Sequence, residues 1–350
     1  MIRTDEIMGQ QASLRLLERM RDGDRVPHGL LFQGPEGIGK ASMALAFAAR
    51  LLCEGDGKDA CGECGTCRLI DSGNHPDMLA VTRLPKKPTS SVSATARSTV
   101  EDLRSFILVD QIRELTRVAA MTPRRSSRRL FVIDPADRMN VEAQNALLKT
   151  LEEPPGRAVL ILVASRPHLL LPTVRSRCFV VGFAALRIAE LAERLEQRGF
   201  DRSEALTRAA LAEGRPGRAL TLDLERHRQR RDDLLGWLES LVAPRPALAE
   251  LPAFAADIAG KTETHLVENL ELLQVLLRDA GRAGRNPGDA GLVHADLSGR
   301  LEELGNRLGP ELAAGLVRSV ERLRGQLRFN LNRTLIAESI LAAVAGGPLP

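Results

Sequence analysis

His28-Gly29-Leu30-Leu31-Phe32-Gln33-Gly34-Pro35-Glu36-Gly37-Ile38-Gly39-Lys40-Ala41 decides the fold. The residues up to Gln33 form an apolar run that reads as a strand, while Ala41 to Cys53 is rich in Ala and Leu and reads as a helix. Between them lies a glycine-rich loop that follows the phosphate-binding pattern G-x-x-x-x-G-K-[ST] up to its last position, in the strand–loop–helix context such a loop needs. The glycines let backbone N–H groups wrap a phosphate, the lysine reaches the terminal phosphates, and the closing hydroxyl holds Mg²⁺. Ala41 occupies the hydroxyl position, and a methyl group cannot coordinate a hard cation. The scaffold is that of an ATPase, without the means to be a competent one.

Working outward, Arg129-Leu130-Phe131-Val132-Ile133-Asp134 and Val159-Leu160-Ile161-Leu162-Val163-Ala164 are apolar runs of the kind buried on both faces of a parallel sheet. Val141 to Leu151 is a helix between them, ended by Pro154-Pro155. Strands alternating with helices predict an α/β core over 1–182. A smaller helical region, 183–226, ends at Arg215-Pro216-Gly217-Arg218-Ala219-Leu220, and the basic run Arg226-His227-Arg228-Gln229-Arg230-Arg231 reads as a domain junction. The run's simplest reading is a solvated helix start or linker rather than a DNA patch. Over 227–350 the pattern is helical. Leu266, Leu270, Leu273 and Leu277, and Leu316, Val320, Leu323 and Leu327, repeat at helical spacing as bundle core. Residues 85–99, with Pro85, Pro88 and several serines, read as a mobile loop.

Composition narrows the function classes. A hydrophobic fraction of 44% and a charged fraction of 27% belong to an ordinary globular protein. Met1 to Gln10 shows no signal-peptide pattern, and no apolar run approaches the ~20 residues of a membrane span, so a cytoplasmic location is expected. The net charge is only +4, there is no Tyr, and aromatics make up 3%, which leaves little material for a base-stacking platform.

Cys53, Cys61, Cys64 and Cys67 crowd into one short segment. In a cytoplasmic protein such clustering favours metal over disulfides, and four thiolates fill the tetrahedral shell of Zn²⁺, so the site is expected to be structural. Unligated or redox-active thiols and an iron–sulfur cluster are the alternatives. His75 could compete as a ligand but reads more simply as a loop or capping residue, and Cys178 as a small buried hydrophobe.

These residues closely resemble the bacterial DNA polymerase III clamp-loader subunits of the AAA+ class. The resemblance is carried by the phosphate loop, the four-cysteine insert and Val109-Asp110-Gln111-Ile112-Arg113-Glu114-Leu115. It is carried also by Asn145-Ala146-Leu147-Leu148-Lys149-Thr150-Leu151-Glu152-Glu153-Pro154-Pro155, Ser176-Arg177-Cys178 and Gly217-Arg218-Ala219. It implies an AAA+ parallel-sheet core over 1–182 with a zinc insert at 53–67, a helical lid over 183–226, and an all-α collar over 227–350 that oligomerises. Within the family the chain is most similar to the stator type, whose nucleotide motifs have decayed.

The second nucleotide motif of the family is a strand followed by Asp-Glu, the Asp supporting Mg²⁺ and the Glu polarising water. Here Asp134 is followed by Pro135, which has no group to activate water, and Asp137 is expected to point elsewhere. With Ala41 and Pro135 together, hydrolysis by this chain is not expected. Gly34, Gly37, Gly39, Lys40, Asp134 and Arg218, the last at the family's sensor 2 position, leave binding of ATP or ADP open. Ser165 occupies the sensor 1 location, where a γ-phosphate contact and a satisfied strand-end Ser are both open.

In clamp loaders the Arg of Ser-Arg-Cys is an arginine finger that reaches a neighbour's ATP. That role falls on Arg177, with an intramolecular salt bridge as its plain alternative, and Arg175 reads as a salt-bridge or second phosphate contact. The implied protein is a component of the polymerase III holoenzyme that assists motor subunits of the gamma/tau type, alongside delta, in loading the sliding clamp on primed DNA. The alternatives are a motor subunit with its own ATPase activity, and a zinc-dependent DNA-binding module, which would bind DNA strongly by itself.

Overall fold

Three apolar runs become the centre of a five-stranded sheet. The computed structural model describes residues 7–55, 57, 59–85, 106–289, 291–327 and 331–346, so the expected loop at 85–99 lies, apart from Pro85, outside the described residues. The strands are β1 (Gly29–Gln33), β2 (Met78–Val81), β3 (Arg129–Ile133), β4 (Ala158–Ala164) and β5 (Phe179–Gly182), ordered β2-β3-β4-β1-β5. All pairings are parallel: Gly29 lies beside Leu160, Leu30 beside Phe179, Arg129 beside Ala158 and Met78 beside Leu130.

Side chains alternate across a strand, so each central strand feeds two cores. On one face Leu30, Phe32, Val132 and Ile161 pack with Met43 and Phe47 of α2 (Lys40–Leu52) and Leu17 of α1 (Gln11–Asp22). The other face carries Leu31, Phe131, Ile133 and Leu160. They meet Ile112 and Leu115 of α4 (Val109–Ala119) and Leu147 and Leu151 of α5 (Val141–Glu152). Each such buried side chain stabilises by roughly 1.5–3 kcal/mol, which is why these strands tolerate no polar alternation. Asn140 starts α5 by accepting the Ala143 N–H at 2.9 Å, and Pro154-Pro155 follows its end.

The short α3 (Gly65–Asp71) lies in the cysteine segment, and α6 (Pro172–Arg175) precedes β5. Then α7 (Ile188–Glu196), α8 (Arg202–Leu211) and α9 (Pro216–Thr221) form a small helical cluster. Leu191, Leu195, Ala205, Ala209 and Ala219 bury against one another and against Met8. This cluster and the sheet belong to one compact unit, Met1–Thr221.

The second unit, Leu222–Pro350, is helical: α10 (Leu224–Leu241), α11 (Leu251–Ala259), α12 (Glu263–Ala283), α13 (Ser298–Leu308), α14 (Pro310–Gln326) and α15 (Arg333–Val344). Leu266, Leu270, Leu273 and Leu277 of α12 and Leu316 and Val320 of α14 are buried in its core, with Leu323 packed against it. The basic run at 226–231 lies inside α10 and is not wholly solvated. Arg231 is buried and pairs with Asp296 at 2.7 Å, while Arg230 bonds Asn269 at 2.8 Å and lies over the Trp237 ring. Two of these cations hold the bundle's surface together. Among the described residues no helix is long and apolar enough to cross a membrane.

Candidate functional site

The C-terminal ends of β3, β4 and β1 lie side by side, the edge at which parallel sheets bind ligands. The β1–β4 register sets Gln33 beside Ala164, and the Gly34 N–H donates to the Ala164 carbonyl at 3.3 Å. Ser165 therefore stands next to the phosphate loop. Gly37 and Gly39 take φ of 76° and 98°, a left-handed backbone that glycine adopts without strain. The loop then turns into α2, and Lys40 folds back over it. Its Nζ donates to Gly34 O at 2.8 Å, Pro35 O at 2.6 Å and Ser165 Oγ at 3.0 Å. Burial lowers the Lys40 pKa, against the pull of Asp134, Glu36 and Asp137. Asp134 directly follows β3, and burial pushes its carboxyl up to about 6, with Lys40 acting the other way. Asp137 is turned to the β4 exit, where it accepts the N–H groups of Ser165 at 3.4 Å and Arg166 at 3.2 Å.

The helical cluster touches this loop directly. Gly217 donates its N–H to Gly37 O at 2.8 Å, and a Cβ on Gly37 would lie 3.3 Å from the Arg218 N. Arg218 itself is half-buried in α9. On another side, Ile7 packs so close to Gly39 that a Cβ there would meet its Cγ2 at 3.2 Å.

The four cysteines come together. Cys53 follows α2 and Cys64 caps α3, and the four sulfurs lie within 4.8 Å of one another. Four thiolates at ~2.3 Å from Zn²⁺ would stand about 3.8 Å apart, and Cys61 Sγ to Cys67 Sγ is 3.9 Å. Backbone N–H groups already point at the sulfurs: Gly55 and Cys61 donate to Cys53, Cys64 to Cys61, and Cys67 to Cys64, each at 3.3 Å. The N–H donors of Cys64 and Glu63 bring the Cys61 thiol down to about 6, while burial pushes Cys67 up. This group can hold a metal ion. His75 is not part of it; it is buried, and its Nδ1 accepts the Asp77 N–H at 3.1 Å.

A side-chain strut joins the cysteine knob to the sheet. Arg125 donates to Thr66 Oγ1 and Glu54 Oε1, both at 3.3 Å. The loop carrying Arg125 is pinned by the buried Asp77, which accepts the N–H groups of Arg124 and Arg125 at 2.7 Å and of Ser126 at 2.9 Å. Those donors and Arg129 outweigh burial and hold the Asp77 carboxyl below its ordinary value.

Arg177 lies apart from these groups, after α6. Its side chain is 34% exposed, with Nη2 2.5 Å from Glu152 Oε1 and Nη1 donating to Thr173 O at 2.9 Å. Arg175 is exposed, and Cys178 is half-buried, its thiol pushed up to about 11 by burial.

With this geometry in hand, comparison with known proteins decides the family. Residues 9–187 match the family described as DNA polymerase III, delta subunit, and residues 225–345 match its C-terminal counterpart. The DNA polymerase III subunit delta' of Pseudomonas aeruginosa is 31% identical over 336 residues, which is 92% of this chain and 93% of that one. The chain belongs to the delta' family of DNA polymerase III subunits. The Escherichia coli delta' subunit is 30% identical over 91% of this chain and 88% of its own length. The Escherichia coli tau subunit is 32% identical but over only 55% of this chain and 27% of tau, so the likeness to delta' members runs further along both chains. A solved structure of a gamma subunit-related protein from Thermotoga maritima aligns over 95% of this chain at 17% identity with a TM-score of 0.37, too loose a likeness to add to this.

Sequence reading did not assign roles to Glu152, Ile7, Asp77 or Arg125. Glu152 lies in the 145–155 stretch that carries the family resemblance, which marks its position but not its partner. The other three act through contacts between segments distant in sequence.

Proposed function

We propose that this chain is the stator of a DNA polymerase III clamp loader. It does not hydrolyse ATP itself; it completes the nucleotide site of an adjoining gamma/tau-type motor subunit by presenting Arg177. The observation that carries this reading is the similarity to delta' relatives over 92% of this chain and 93% of the relative. Two chemical losses support it: Ala41 where Mg²⁺ needs a hydroxyl, and Pro135 where water needs a carboxylate. A guanidinium stays charged and offers a planar fork to phosphate oxygens, and supplied in trans it raises phosphoryl-transfer rates by roughly 10³–10⁵.

On this reading 1–182 is the AAA+ core, 183–226 the lid and 227–350 the collar through which the chain joins the motor and delta subunits. ATP held by those neighbours opens the sliding clamp and loads it on primed DNA. Zn²⁺ is the metal of Cys53, Cys61, Cys64 and Cys67, and it braces the knob rather than doing chemistry. Any ATP or ADP bound by this chain itself uses the N–H groups of Gly34, Gly37 and Gly39 and must first draw Lys40 away from the loop carbonyls, with Asp134 and Arg218 flanking it.

The test is a loader reconstituted with Arg177→Ala. Clamp- and DNA-stimulated hydrolysis falls if the reading holds; an unchanged rate contradicts it. Steady-state hydrolysis by the isolated chain, abolished by Lys40→Ala, would instead favour a motor subunit.

A further inference from the structure

Glu152 is the last residue of α5, and its carboxylate meets Nη2 of Arg177 at 2.5 Å. The other terminal nitrogen, Nη1, donates to Thr173 O at 2.9 Å and to Ser176 Oγ at 3.4 Å. Both ends of the guanidinium fork are therefore engaged inside the chain, and a phosphate that takes the fork bidentately needs them back. The Glu152 side chain is itself 47% exposed beside an arginine that is 34% exposed. A polyphosphate approaching Arg177 thus meets a carboxylate of its own sign at the same place.

We propose that Glu152 is a positioning residue that latches Arg177. It holds the guanidinium against the end of α5 until a correctly placed phosphate displaces it. The inference rests on the reading of Arg177 as a finger acting in trans. An exposed ion pair is weak, so the exchange is easy once the neighbour's nucleotide is seated. A loosely docked neighbour offers no such phosphate, and there the carboxylate keeps the fork. The latch therefore lowers hydrolysis in the unengaged loader and leaves the engaged rate alone.

The experiment compares loaders reconstituted with the native chain, Glu152→Gln, Arg177→Ala and the double variant. Glu152→Gln keeps the shape and removes the charge. It is expected to raise ATP hydrolysis in the absence of clamp and DNA by about two- to fivefold, the range open to an exposed pair. It should lower the half-saturating concentration of clamp and primed DNA by the same factor, with the maximal rate unchanged. In the Arg177→Ala background it should change nothing, whereas a purely structural role of Glu152 would act equally in both backgrounds. If Arg177→Ala slows the loader but Glu152→Gln leaves the unstimulated rate unchanged or lowers it, the latch is wrong and the finger stands. If Arg177→Ala has no effect, both fall.

Discussion

Gly217 donates its backbone N–H to the carbonyl oxygen of Gly37 across 2.8 Å, so α9 begins directly on the phosphate loop. The contact depends on the absence of a side chain. A Cβ on Gly217 would stand 2.9 Å from Gly37 O, a backbone atom that cannot rotate away.

Gly217→Ala should therefore push α9 off the loop, at about 1–3 kcal/mol for an overpacked contact. Hydrogen exchange is the measurement: amides of 216–221 and of the loop should exchange faster than in the native chain. Unchanged protection would mean that this contact does not hold α9.

The pH dependence of stability has a defined sign at Asp134. Burial raises its carboxyl to about 6 in the folded chain, above the ~3.9 of an unfolded Asp. The folded state holds the proton more tightly, so this contribution is fully present below about pH 4 and is lost as pH rises through about 6. Ionised Asp134 then costs on the order of 1–3 kcal/mol. Asp134→Asn should remove that loss, so urea midpoints of native chain and variant should converge at about pH 4 and separate at about pH 8, with the variant the more stable. Parallel pH profiles would contradict the burial argument.

Cys67 is fully buried among the four sulfurs. The purified chain should carry one equivalent of zinc, and Cys67→Ser should carry none. Loss of metal should lower the stability of the first unit, whose knob Arg125 ties to Glu54 and Thr66. Elemental analysis with thermal unfolding reads both effects; zinc retained by Cys67→Ser, or iron in its place, would overturn the assignment.

How far the sequence could be read follows from where each residue lies in the sheet. The runs at 28–33, 129–134 and 159–164 became β1, β3 and β4, the three central strands, buried on both faces and so apolar through their middles. The edge strands β2 and β5 are apolar too but only four residues long, and β5 leaves Phe179 and Val180 open to solvent, so neither run is long enough to stand out. The cysteines were legible because all four lie within fifteen residues of one another and the fold brings their sulfurs together. The neighbours of Lys40, Arg177 and Arg125 were not, because Ser165, Glu152 and Glu54 are brought to them by the fold. Arg231, read as part of a solvated run, is buried for the same reason: its partner Asp296 lies far along the chain.

The role proposed for Arg177 is to serve a nucleotide bound by a neighbour. Its most direct test uses a reconstituted loader in which the subunit adjoining this chain holds the only intact nucleotide site, so that no other site masks the result. Single-turnover hydrolysis is then measured with the native chain and with Arg177→Ala in the presence of clamp and primed DNA. A fall in rate of roughly 10³ or more with assembly intact is expected. An equal rate in the two loaders would contradict it.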